Sequence, residues 1–174
     1  KAVLQDVVEG IRVSDGMPNV DFIMSMYLPS DVPAAVEVRQ MEVMLTYSAK
    51  PICFVTYEWE GTPEIIEMAE IAMGGADNLR INPSIICYLN PTTSFVHNKA
   101  ALRKLIYCAE KRLPTIYMPD LLGGLSGPIT REGLMACHNA GTLVGLVISQ
   151  LVNEGAPIII SSARPSHLDM KTMV

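Results

Sequence analysis

The chain carries 174 residues, 49% of them apolar, and a net charge of −5 from 18 acidic and 13 basic side chains. That length allows one domain with a substantial core but falls short of the ~250 residues typical of a closed (β/α)₈ barrel. No basic run or RNA-type aromatic motif offsets the acidic balance, so nucleic acid is not expected as a partner.

Lys1–Ile11 reads as a helical fragment, with Val3, Val7 and Ile11, and Leu4 and Val8, spaced three or four apart. Asp15-Gly16 and Pro18-Asn19 mark turns, and Val20–Tyr27 is the first strand candidate. Ser30 or Asp31 is expected to cap a helix opening near Pro33 and running to about Ser48. Ile52–Tyr57 follows as the second strand. Thr62 is the expected cap of the next helix, with Pro63 in its first turn and Gly74-Gly75 closing it. Ser84–Leu89 is the third strand. Asn98–Lys111 reads as an amphipathic helix with Leu102, Leu105, Ile106 and Ala109 on one side. Pro114–Met118 is the fourth strand, and a glycine-rich loop, Pro119–Thr130, leads into a long apolar helix ending near Asn153. Pro157–Ser161 is the fifth strand, and another helix start is expected near Pro165-Ser166.

Strands therefore begin near positions 20, 52, 84, 115 and 157, a βα rhythm without hairpin signals. Crossovers of this size imply parallel strands. The fold class is α/β, and residues 1–174 read as one domain of about five βα units. A segment of a (β/α)₈ TIM barrel and a doubly wound open sheet both remain open at this point.

Cys53, Cys87, Cys108 and Cys137 form no CxxC pair and read as free thiols in a reducing, cytoplasmic setting. His97, His138 and His167 show no metal-ligand spacing, so no metal is expected. Asp6 and Glu9 interrupt the first apolar stretch, which is unlike a signal peptide. The most membrane-like window, Leu134–Val152, holds His138, Asn139 and Gln150 and reads as a buried helix, so no membrane partner is expected. Lys1 is not an initiator Met, and both ends of the chain read as arbitrary points in a longer protein.

In a parallel α/β fold, chemistry gathers at the outgoing ends of the strands. Those positions hold Met26 and Tyr27; Tyr57, Glu58 and Trp59; Tyr88, Asn90, Thr92 and Thr93; Asp120 with Gly123–Gly127; and Ser161, Ser162 and Arg164. They contain no Ser-His-Asp order, GxSxG elbow or metal cluster, which argues against serine or metal-assisted hydrolysis. Glu58 is either a solvated loop acid or a carboxylate in a barrel mouth. Tyr57 and Trp59 either cover the core rim or form part of an aromatic cage for a cation. If the second strand extends that far, alternation sets those two rings opposite Glu58.

Gly123-Gly124-Leu125-Ser126-Gly127 resembles a phosphate loop at a helix start, but it is neither GxGxxG nor a P-loop. It is equally a turn that lets the helix begin close to the sheet. The helix N-terminus still offers N–H groups to an anion or carboxylate.

Here a resemblance enters. The run from Tyr117 through Ile160 is similar to the trimethylamine methyltransferase family, through Pro119, Gly123, Gly124, Gly127, Pro128, Ile129 and Thr130, then Gly155, Ala156 and Pro157. The upstream run from Ile81 to Tyr117 is also similar. It departs at Thr92-Thr93-Ser94-Phe95, where the family usually has Ser-Pro-Leu.

The resemblance implies a TIM barrel that moves a methyl group from a methylated amine to the cob(I)alamin of a separate corrinoid protein. The chain itself would bind no cofactor directly. Trimethylamine-specific members carry a pyrrolysine, which would lie beyond Val174, and members without it act on quaternary amines such as glycine betaine. A quaternary ammonium accepts no hydrogen bond and is held by aromatic faces and carboxylate charge. Tyr57, Glu58, Trp59, Tyr88, Asn90 and Asp120 are the candidate substrate-binding residues on this reading. Gly123, Gly124, Gly127 and Thr130 form the loop at the strand exit, and no catalytic residue is assigned.

A methyltetrahydrofolate-type barrel enzyme is the alternative within enzymes, with Asp120 and Asn90 as its pterin-reading pair. A non-catalytic small-molecule-binding fragment is the alternative outside them. Five βα units leave two sheet edges open, so association into an oligomer is expected.

Overall fold

The computed structural model describes residues 1–24, 27–160, 167–169 and 171–172. The expectations for Met26, Ser161, Ser162 and Arg164, and for a helix near Pro165-Ser166, lie outside the described residues. Five parallel strands follow the order β1-β2-β3-β4-β5. A doubly wound sheet reverses its order at a switch point; this sheet has the sequential order of a singly wound fold. The chain divides into two compact units, residues 1–87 and 88–174, with β3 crossing the division.

The first unit opens with α1, Leu4–Gly16, which buries Val7 and Ile11 at helical spacing. Its first N–H groups are met by two acids. Asp6 accepts from the Val3 amide at 2.8 Å, and Asp31 accepts from the Leu4 amide at 2.9 Å. Asp31 therefore serves the helix before it, not the one after it. Ser30 is likewise committed to Ala2, its hydroxyl donating to that carbonyl at 2.9 Å. With both expected caps engaged elsewhere, α2 starts late, at Val36–Tyr47, behind Ala35 in a left-handed conformation.

Asp15 and Gly16 stay in α1. The Asp15 carboxylate accepts from the Ser48 hydroxyl at 2.6 Å and the Ala49 amide at 3.0 Å, closing the far end of α2. These bonds, the Ser48 one foremost, lower the Asp15 pKa.

Strand β1 is Ile23–Met24, and β2 is Ile52–Phe54, all three of its residues buried. β2 is shorter than the apolar run that contains it. Ile23 pairs with Ile52, and Ile52 with Ile85 of β3, Ile85–Leu89. Helix α3, Thr62–Ala72, is preceded by Gly61 at φ +85°, a conformation glycine adopts without strain. Thr62 does not cap it. Its hydroxyl shares a 2.8 Å hydrogen bond with that of Thr56, and both residues are buried. A short helix that the sequence did not announce, α4 at Ala76–Ile81, follows the Gly74-Gly75 stop and buries Leu79.

In the second unit, α5 spans Lys99–Glu110 and is capped by the Asn98 side chain, which accepts from the Ala101 amide at 2.8 Å. Its buried stripe is Ala101, Lys104, Leu105, Cys108 and Ala109. Ile106, expected on that side, is exposed. It sits about 100° around the helix from Leu105, while Lys104, one residue before Leu105, falls within the buried stripe. Strand β4, Thr115–Tyr117, pairs with β5, Ile158–Ile160, with Ile116 opposite Ile159.

Helix α6, Arg131–Val152, is capped by Thr130 and buries Leu134, His138, Gly141, Thr142, Gly145 and Ser149. It is not the fully buried helix its composition suggests, because Leu143, Val147 and Leu151 on the other side are 43%, 54% and 82% exposed. By length and composition alone α6 is apolar enough to cross a membrane.

Candidate functional site

The geometry of the second unit is set by the pleat. In β3 and β4, Leu89, Thr115 and Tyr117 are buried, while Tyr88 and Ile116 are half-buried on the opposite face. Tyr117 packs against α6 at Gly145. The Met118 amide donates to the Leu89 carbonyl at 3.0 Å, so the exits of β3 and β4 emerge side by side. Asn90 and Asp120 are the exposed residues at those exits. Three candidates, Tyr88, Asn90 and Asp120, are thus brought to neighbouring strand ends by two adjacent strands.

The loop after β4 closes on itself. The Leu122 amide donates to the Ser126 hydroxyl at 2.9 Å, and the amides of Ser126 and Gly127 both donate to the Leu122 carbonyl at 3.0 Å. The Gly124 amide donates to the Gly127 carbonyl at 3.1 Å. At the head of α6, Thr130 accepts the Gly133 amide through its hydroxyl at 3.3 Å and the Leu134 amide through its carbonyl at 2.9 Å. Most of the loop amides are therefore spent inside the protein. The likeness to a phosphate loop is one of composition, and the turn reading is the one the structure supports.

What fills the space left by the glycines is His167-Leu168. A side chain on Gly123 would begin 2.6 Å from His167 Cδ2. The Leu168 amide donates to the Gly123 carbonyl at 3.0 Å, and His167 Nε2 bonds the Ile129 carbonyl at 2.8 Å. His167 was read from the sequence only as a lone histidine, because its partners are distant in the chain.

A second pair missed by the sequence is His97 and Tyr117. Their rings stack with centroids 5.9 Å apart, and His97 Nδ1 lies 2.6 Å from the Tyr117 hydroxyl. Burial pushes the Tyr117 phenol up to about 12. The phenol therefore keeps its proton, and the direction of its bond to Nδ1 follows the tautomer of the ring. Tyr117 sits on the helix-facing side of β4, away from Tyr88, so this pair supports the wall behind the exits.

In the first unit, β2 stops at Phe54, and Tyr57, Glu58 and Trp59 lie in a bend beyond it. The strand alternation expected for these three does not reach them. Tyr57 is 69% exposed, Glu58 is exposed, and Trp59 is half-buried with its carbonyl accepting from the Thr62 amide at 3.1 Å. The bend therefore presents an acid and a tyrosine ring to solvent, with the Trp59 backbone tied to the start of α3.

Among the described residues, no three His, Cys, Asp or Glu side chains gather as a metal site. The four cysteines are free thiols, and burial raises Cys53 to about 11, far from a reactive thiolate.

The trimethylamine methyltransferase (MTTB) family model matches residues 1–173. The chain is 28% identical over 174 residues to the trimethylamine methyltransferase MttB of Desulfitobacterium hafniense, a match covering 99% of this chain and 35% of the relative. It is 26% identical to the glycine betaine methyltransferase of D. hafniense strain Y51, covering 93% of this chain and 34% of that protein. It is 23% identical to the trimethylamine methyltransferase MttB of Methanosarcina barkeri, covering 93% and 33%. The chain thus spans about a third of the length of these relatives.

Proposed function

Since the chain belongs to the trimethylamine methyltransferase family, we propose that it forms the methylated-amine-binding part of a methyltransferase. The methyl acceptor on this reading is the cob(I)alamin of a separate corrinoid protein. The observation that carries the proposal is the match over residues 1–173, which takes in every strand exit described above. The names of the relatives support trimethylamine or a quaternary amine such as glycine betaine as substrate.

The chemistry asks little acid–base work of the protein. The corrinoid, when its protein docks, supplies the nucleophile that takes the methyl group. The residues of this chain bind the cation, orient one N–CH₃ bond and exclude water. Tyr88 offers a ring on the half-buried face of β3, and Asp120 offers charge at the next strand exit, the two kinds of group that hold an ammonium without a hydrogen-bonding lone pair. Asn90 lies between them in chain order and is the polar contact suited to a substrate carboxylate, such as that of a betaine. Tyr57, Glu58 and Trp59 are proposed to serve the same class of ligand from the bend after β2.

The sequential strand order supports a TIM barrel completed by further βα units. The free thiols suit a cytoplasmic protein, and the apolar outer face of α6 suits an oligomer.

The test uses the full-length protein. It is incubated with cob(I)alamin and, separately, with trimethylamine, glycine betaine and methyltetrahydrofolate, and methyl transfer is read from the loss of cob(I)alamin absorbance. One of the amines is expected to support transfer. Tyr88→Leu is expected to raise KM for it about fivefold, the size of one cation–π contact. Transfer from methyltetrahydrofolate alone, or from none of the three, overturns the reading.

A further inference from the structure

The exit loop of β4 is tied down at two points by one side chain. Gly123 is buried, and His167 Cδ2 and Nε2 lie 2.6 and 3.0 Å from where its Cβ would stand. At the other end of the loop, His167 Nε2 lies 2.8 Å from the Ile129 carbonyl. A carbonyl only accepts, so Nε2 carries the proton and donates. Beside it, the Leu168 amide donates to the Gly123 carbonyl at 3.0 Å, and the Leu168 carbonyl lies 3.2 Å from the Cβ position of Gly124, which holds φ +85°. Gly123 and Gly124 thus form a slot shaped for residues 167–168. Between the two anchor points the turn from Leu122 to Gly127 is closed by its own hydrogen bonds. From this turn, buried Leu121 leads back to exposed Asp120.

We propose that His167 is a positioning residue: it fixes the shape of the loop from Asp120 to Ile129 and, through the loop, the placement of the Asp120 carboxylate beside the substrate cation. This rests on the amine-site reading above. The histidine touches no substrate on this account; it acts through the loop.

The experiment uses the full-length protein and two readouts. Hydrogen–deuterium exchange of residues 120–129 is expected to speed up about fivefold in His167→Ala, the effect of losing one hydrogen bond, and to be restored in His167→Gln, whose amide can donate to the same carbonyl. Gly123→Ala is expected to speed exchange as well, but to add nothing in a His167→Ala background, because the ring it would collide with is gone. Unchanged exchange in His167→Ala, or a Gly123→Ala effect of equal size with and without the ring, overturns the proposal. For the link to binding, His167→Ala is expected to raise KM for the amine with kcat held, and to have no further effect once Asp120 is Asn. Additive effects of the two substitutions on KM overturn that link. If the wild-type protein transfers methyl groups from no amine, the functional reading fails, while the exchange measurements still decide whether His167 fixes the loop.

Discussion

Gly145 of α6 lies directly against the ring of Tyr117 in β4: a Cβ on that glycine would stand 2.2 Å from Tyr117 Cδ1. At Gly141, one turn earlier, an added Cβ would stand 2.6 Å from the Cα of Ser94. These two positions let a helix backbone rest on a tyrosine ring and on the loop after β3. The contact places the His97–Tyr117 pair and, through β4, the exit that carries Asp120. Gly145→Ala is expected to force the ring or the helix aside and to destabilise the fold by about 1–3 kcal/mol, the usual cost of overpacking. Denaturant unfolding of the variant against wild type measures it, and an unchanged midpoint would show that α6 shifts freely on the sheet.

Asp31 offers a second test, this time in the first unit. Its carboxylate closes the start of α1 from 27 residues away. Asp31→Ala is expected to cost about 0.5–2 kcal/mol, the range for losing a side-chain cap, while Asp31→Asn keeps an acceptor oxygen and most of that stability. The loss belongs to α1, so amide exchange at Leu4 should rise first, with α2 unaffected. Faster exchange confined to Val36 and Glu37 would restore the reading in which Asp31 caps the helix that follows it.

These two cases mark the boundary of what the sequence reveals. Element type was legible because each βα unit carries a local signal: an apolar run for β2, a Pro63-Glu64 helix start, a long apolar run for α6. The Asn98 helix was found for the same reason. The partner of each polar side chain was not legible. Ser30, Asp31 and Thr62 are all good local caps by type, yet Ser30 and Asp31 spend their oxygens on partners 28 and 27 residues away, and Thr62 shares its hydroxyl bond with Thr56 of the preceding turn. The strand ends were overextended because apolar character runs past the last paired residue, as at Val55–Tyr57. Among site residues, the exits holding Tyr88, Asn90 and Asp120 followed from strand position alone. The roles of His167 and His97 did not, since a lone histidine carries no spacing signal and its meaning lies in what folds against it.

The buried phenol and thiol predict alkaline sensitivity. Tyr117 is raised from 10.0 to about 12 and Cys53 from 9.0 to about 11, both by burial that disfavours the anion. For each group the folded chain holds the proton more tightly than the unfolded chain. The contribution to stability is complete below the unfolded pKa and is lost as pH rises to the folded one. Stability should therefore hold below pH 9, fall between about 9 and 11 with Cys53, and fall between about 10 and 12 with Tyr117. Cys53→Ala should flatten the first part of the decline. In an absorbance titration of tyrosinate, Tyr117→Phe should remove the latest-titrating component. If that component survives the substitution, the buried phenol has been misassigned.

The outer face of α6 supplies the last prediction. From Gly133 to Asn153 the helix carries no acidic or basic residue apart from His138, and Leu143, Val147 and Leu151 lie exposed about one turn apart. Soluble proteins rarely leave such a stripe open, and a helix apolar on all sides normally has a cover on each. The strand edge at β5 adds exposed Ile159 and Ile160. Expressed as residues 1–174 alone, the chain should associate through these surfaces, and light scattering should report a mass that grows with concentration. Val147→Lys with Leu151→Glu removes apolar area without touching the buried stripe of Leu134, His138 and Gly145, so the fold should persist while association weakens. If instead the wild-type segment runs as a monodisperse monomer across the concentration range, the stripe is tolerated by solvent and the case for its being a contact surface collapses.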